Sequence, residues 1–159
     1  MTALQVKALG YALGAEVTGV DLRRPLEPAL LEALNEAWLR HLVLVFPRQN
    51  LSTTEQIAFS RCFGELDKHE FQPRYTHPDH REILLVTNKP IDGKPSDTRN
   101  TGRNWHTDLT FTSRPAKGAL LLCREKPPVG GDTMFANMYL AYETLSPRLR
   151  AFIEDMEAI

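Results

Sequence analysis

Apolar residues come in short runs at the start of the chain. Residues 4–9 and 15–20 are two such runs, separated by the turn-prone Gly10 and Gly14, and both suit strands. The period then changes. Pro28 suits a first helical position. Leu30, Leu31, Leu34, Ala37, Trp38 and Leu42 follow at three- and four-residue steps, which predicts a helix with one apolar stripe. The uninterrupted run 42–46, ended by Pro47, predicts a strand buried on both faces. Ser52-Thr53-Thr54-Glu55 spells a capping box, and Ile57, Phe59, Cys62 and Phe63 give the helix behind it apolar bulk before Gly64 stops it.

Beyond Gly64 the pattern predicts further strands at 83–87, 105–111, 119–123 and 133–136. A polar stretch, 88–104, with Gly93, Pro95 and Gly102, predicts a long loop of the kind that often carries function. Residues 127–131 predict a turn, and helical patches follow at 138–145 and from Pro147, where Ser146 can cap. No repeat or linker marks a boundary, so 1–159 is expected to form part of a single domain. The last residues carry no cap and place Glu154, Asp155 and Glu157 at the negative end of a helix dipole. That suggests a fold that continues past residue 159.

Composition narrows the class. The 159 residues include 19 Lys and Arg against 20 Asp and Glu, for a net charge of −1. Such a balance gives no electrostatic case for nucleic acid. No apolar run is long enough to span a bilayer, and the N-terminus lacks the pattern of a secretory signal. Cys62 and Cys123 are read as reduced thiols in a cytoplasmic protein.

Candidate chemistry concentrates in Asn104-Trp105-His106-Thr107-Asp108-Leu109-Thr110-Phe111. On a strand, residues two apart share a face, so His106 and Asp108 project together. An imidazole and a carboxylate at that spacing suit two adjacent metal positions, and one more imidazole completes the facial triad of non-haem Fe(II) oxygenases. A His–Asp pair can equally be a plain hydrogen bond. Downstream, Gly130-Gly131-Asp132-Thr133 combines a tight turn with a hydroxyl able to bond a carboxylate. By itself it reads as a hairpin turn.

Taken together, Trp-His-Thr-Asp-Leu-Thr-Phe followed by Gly-Gly-Asp-Thr resembles the taurine dioxygenase (TauD/TfdA) family of Fe(II)- and 2-oxoglutarate-dependent oxygenases. The likeness includes residues 14–22, Leu39-Arg40-His41 and residues 61–66, and it covers essentially the whole chain. It implies a double-stranded β-helix (jelly roll) with flanking helices, an α+β or mostly β fold, incomplete at its C-terminus. It implies Fe(II) on His106 and Asp108, 2-oxoglutarate as cosubstrate with Thr133 on one of its carboxylates, and His69 reaching the substrate. O₂ and a small, anionic substrate such as a sulfonate, sulfate ester or carboxylate would be the partners, in a homo-oligomer.

The likeness also has gaps. Family members are about twice as long, with a third iron-ligating histidine and a 2-oxoglutarate-binding arginine near their C-terminus. The histidines here are 41, 69, 77, 80 and 106, and Arg148 and Arg150 do not match that arginine. Gln72 stands where the taurine enzyme has a tyrosine, and Gly102 where it has an asparagine. Arg99, Arg103 and Asn104 keep the loop basic and polar. The competing expectation is a truncated, inactive binding or assembly module. A halogenase on this scaffold is disfavoured by Asp108, because such enzymes leave that position open for halide.

Overall fold

The computed structural model describes residues 3–68, 75–90, 93–96 and 102–157. The chain divides into two compact units, Met1–Asn50 with Arg124–Ile159, and Leu51–Cys123.

In the first unit, β1 (Gln5–Ala8) and β2 (Ala15–Thr18) form an antiparallel hairpin in which Gln5 faces Thr18 and Ala8 faces Ala15. The chain then crosses through α1 (Pro28–His41) to β3 (Leu44–Val45), which pairs parallel to β2. The sheet order is β1-β2-β3. Central β2 alternates as a half-buried strand should, with Ala15 and Val17 inaccessible to solvent and Glu16 and Thr18 half-buried. Gly19 ends it at φ 82, where a Cβ would collide with the Ala3 carbonyl.

The predicted stripe of α1 is the one that turns inward. Leu34 and Ala37 are buried, and Leu30, Leu31, Trp38 and Leu42 are half-buried, whereas Leu39, off the stripe, is exposed. Pro28 opens the helix as expected, and Arg40 and His41 lie in its last turn, where cations suit the dipole. Leu42 closes the helix at φ 64, its N–H donating to Trp38 O at 2.7 Å while Trp38 Nε1 donates to Leu42 O at 3.1 Å.

That left-handed residue also corrects the strand expected at 42–46. The helix end consumes Leu42, and only Leu44–Val45 joins the sheet. β3 is an edge strand with Val45 exposed, so it is not buried on both faces. Gln49 then ties this end of the unit back: its Oε1 accepts from Leu22 N at 3.2 Å and its Nε2 donates to Val20 O at 3.0 Å. Two short helices follow, α3 (Met138–Glu143), capped by Asn137, and α4 (Pro147–Ile153), capped by Ser146 as expected. Asn137 Nδ2 also donates to Ala12 O at 2.6 Å, which fixes α3 beside the β1–β2 turn.

In the second unit, α2 (Thr53–Arg61) begins with the predicted capping box. Glu55 N donates to Ser52 Oγ at 3.2 Å, and Ser52 N donates to Glu55 Oε2 at 2.7 Å. Ile57 and Phe59 are buried, and the rings of Phe59 and Phe63 meet edge-on at 5.2 Å. The strand expected at 83–87 contracts to an isolated Thr76–Leu84 bridge with two flanking bonds, His77 N to Ile83 O and Leu85 N to Tyr75 O.

Residues 105–111, 119–123 and 133–136 are not strands. A strand needs a neighbour to satisfy its N–H and C=O groups, and none of these segments has a ladder partner among the described residues. Segment 105–111 also bends at Leu109, φ 56. Their large apolar side chains stand in solvent, Trp105 at 69%, Phe111 at 77%, Leu121 at 71% and Met134 at 73% exposure. The described residues show a small mixed sheet with helices, an α+β arrangement.

Candidate metal centre

His106 and Asp108 do meet, through a turn and not through the strand face from which their proximity was expected. His106 Nδ1 lies 2.8 Å from the backbone oxygen of Asn104. A carbonyl only accepts, so Nδ1 carries a hydrogen, and in the neutral ring Nε2 then presents a lone pair. That lone pair faces Asp108 Oδ1 at 3.2 Å. Two acceptor atoms repel at this distance unless a cation, a proton or a metal ion, joins them. Adjacent ligands of an octahedral first-row ion, each bound at about 2.1 Å, stand about 3.0 Å apart. The donor set, its spacing and the tautomer therefore fit a divalent metal. Both side chains are more than half exposed, which leaves the outer side of the pair open.

The backbone behind the pair is tightly turned. Leu109 follows Asp108 at φ 56, and Thr112 donates to Leu109 O through its N–H at 3.1 Å and its hydroxyl at 2.8 Å. The sequence reading missed this support. A Leu-Thr-Phe-Thr run does not announce a left-handed leucine, and the only signal was a hydroxyl residue three positions after it.

Thr133 lies in the other compact unit and is exposed. Gly130 and Gly131 precede it, both at φ 76, and a Cβ on Gly131 would press against the Pro127 ring. His69, Gln72 and Arg99 lie outside the described residues. Arg103 and Asn104 are exposed. Among the described residues, no third histidine, cysteine, aspartate or glutamate joins His106 and Asp108. The rings of His77 and His80 are 5.1 Å apart, but His77 Nδ1 accepts from Asp79 N, so this pair does not present converging lone pairs. Nearby, Arg61 Nη2 bonds Glu82 Oε1 at 3.0 Å. The Glu82 carboxyl is held below its usual range by its own backbone N–H first and by the Arg61 charge second, partly offset by desolvation.

A family model described as "Taurine catabolism dioxygenase TauD, TfdA family" matches residues 5–159. The chain belongs to the TauD/TfdA family. Its relatives include an (S)-phenoxypropionate/alpha-ketoglutarate-dioxygenase of Delftia acidovorans, 34% identical over 99% of this chain and 54% of the relative. An alpha-ketoglutarate-dependent sulfate ester dioxygenase of Pseudomonas putida is 33% identical over 98% of this chain and 49% of that protein. The crystal structure of a taurine dioxygenase from Burkholderia xenovorans aligns with a TM-score of 0.74 at 37% identity, over 97% of this chain and 52% of that one. The chain thus spans about half the length of the curated relatives it matches. Members of the TauD/TfdA family use Fe(II) and 2-oxoglutarate. No helix among the described residues is long and apolar enough to cross a membrane.

Proposed function

We propose that this chain supplies part of a single Fe(II)- and 2-oxoglutarate-dependent dioxygenase domain, of jelly-roll type, that hydroxylates a small organic anion. The observation that carries this reading is the pair of acceptors, His106 Nε2 and Asp108 Oδ1, facing each other at 3.2 Å with the imidazole tautomer already set. When bound, Fe(II) and 2-oxoglutarate supply O₂ activation, with succinate and CO₂ released as a C–H bond of the substrate is hydroxylated.

The protein's own residues do the rest. His106 and Asp108 would hold the metal from one side, and the Asn104 carbonyl keeps the imidazole from rotating away. The Thr133 hydroxyl would donate to a carboxylate oxygen of 2-oxoglutarate. His69 would reach the substrate, and Arg103 and Asn104 add polar and cationic surface suited to an anion. The relatives' phenoxypropionate and sulfate ester substrates are both organic anions, in keeping with that surface. The complete enzyme would draw a third imidazole and a carboxylate-binding arginine from outside these 159 residues, since no histidine follows His106. Cys62 and Cys123, which form no disulfide, suit a reducing cytoplasm. We infer a homo-oligomer from the exposed apolar residues of 105–135.

The same absence of a later histidine supports a second reading, a non-catalytic binding module on this fold. Two measurements separate them. In the protein isolated from its natural source, an intact mass near 18.0 kDa supports the module and a mass near twice that supports the enzyme. In that natural protein, Fe(II)-dependent succinate formation from 2-oxoglutarate collapses by about a hundredfold or more in Asp108→Ala. Undiminished turnover in the variant refutes the ligand assignment.

A further inference from the structure

Leu109 is one of three non-glycine residues with positive φ among the described residues, and it directly follows Asp108. A leucine in the left-handed region sets its Cβ against its own backbone, and unlike Asn or Asp it has no local hydrogen bond in compensation. Something else must hold it there. Thr112 contributes two bonds to the same oxygen, Leu109 O, one from its N–H and a shorter one, 2.8 Å, from its hydroxyl. Thr112 is half-buried, so the hydroxyl bond is partly shielded from competing water. Both bonds end on the backbone, so the hydroxyl acts on the chain's course and not on an ion.

We propose that Thr112 is a positioning residue for Asp108: its hydroxyl holds Leu109 left-handed, which fixes the chain's exit from Asp108 and keeps the carboxylate 3.2 Å from His106 Nε2. This rests on the reading of His106 and Asp108 as metal ligands. The threonine belongs to neither ligand position and touches neither side chain through the bonds described. Its effect is on the spacing of two donors that bind productively only at one separation.

The test is a Mn(II) titration of the protein at its natural length, parent and variants alike, followed by loss of the free-ion electron paramagnetic resonance signal. Thr112→Val keeps the shape and the N–H bond but removes the hydroxyl, and it weakens Mn(II) binding about tenfold. Thr112→Ser, which restores the hydroxyl, binds within about twofold of the parent chain. In a Leu109→Gly background, where φ 56 carries no steric penalty, Thr112→Val has less than about a twofold effect. Parent-like binding by Thr112→Val overturns the positioning role, as does a serine variant as weak as the valine one. So does a valine penalty that is undiminished in the Leu109→Gly background, or loss of far-ultraviolet circular dichroism in Thr112→Val, which would mark a merely structural residue. His106→Ala and Asp108→Ala keep the two readings apart. If both lose Mn(II) while Thr112→Val keeps it, only the positioning role falls. If neither loses it, or the parent chain does not bind Mn(II), the metal-ligand reading falls and takes the positioning role with it.

Discussion

At the scale of single residues, Asp21 and Arg23 form a closely matched ion pair among the described residues of the first unit. Asp21 accepts from Arg23 Nε and Nη2 at 2.8 Å each and from the Arg23 backbone N–H at 3.1 Å, and it lies 3.5 Å from Arg24 Nε. The side-chain hydrogen bond from Arg23, then its backbone bond, lower the Asp21 carboxyl from 3.8 to about 2. A depressed folded value means that the stabilisation is fully present above pH 3.8 and is lost as the pH falls towards about 2. Asp21→Asn is therefore expected to melt lower than the parent at pH 5, with the gap closing in that acid window. Melting curves that stay parallel from pH 5 to pH 2 would contradict it. The Asp21 interaction stays within three residues of sequence, as does the His106–Asp108 contact. Spacing alone made the latter pair legible. The left-handed Leu109 that shapes the turn was not, because leucine's own propensity argues against that conformation.

Among the elements, those specified by neighbouring residues match the sequence reading closely. The Ser52–Glu55 box, the Ser146 cap and the α1 stripe all depend on contacts within one or two turns of helix. Ser52→Ala removes the oxygen that accepts from Glu55 N and is expected to destabilise the Leu51–Cys123 unit by about 1 kcal/mol. Denaturant unfolding reads this as a lower midpoint at unchanged slope, and Ser52→Thr should restore most of the loss. A midpoint unmoved by the alanine variant would show that the cap contributes nothing. Strands were less legible for the converse reason. β3 depends on a partner, β2, nearly thirty residues earlier, and its first expected residue was claimed by the end of α1. At 105–111, 119–123 and 133–136 the residue types favour strands, but pairing is a property of two segments and a run of sequence states only one.

For the molecule as a whole, the distribution of apolar surface is the dominant physical fact. Leu34, Leu51, Val17 and Ala15 lie in the interior of their own units, while Trp105, Phe111 and Leu121 in one unit and Val129, Met134 and Met138 in the other face solvent. Soluble monomers seldom expose so many large apolar side chains together. The 159-residue chain is thus expected to self-associate, and sedimentation velocity should find species heavier than 18.0 kDa at micromolar concentration. A single 18.0 kDa boundary that persists as concentration rises would count against it. The balanced charge offers little opposition to such association.

The placement of the two indoles has a practical consequence. Trp38 sits half-buried at the end of α1 in one unit, and Trp105 stands exposed in the other, one position before His106. Each unit thus carries its own intrinsic fluorophore. A Trp38→Phe chain would keep indole emission only from beside His106, where a paramagnetic ion quenches, while the one indole of a Trp105→Phe chain would report on the burial of α1. The two optical channels would distinguish ion capture from unfolding without any attached label.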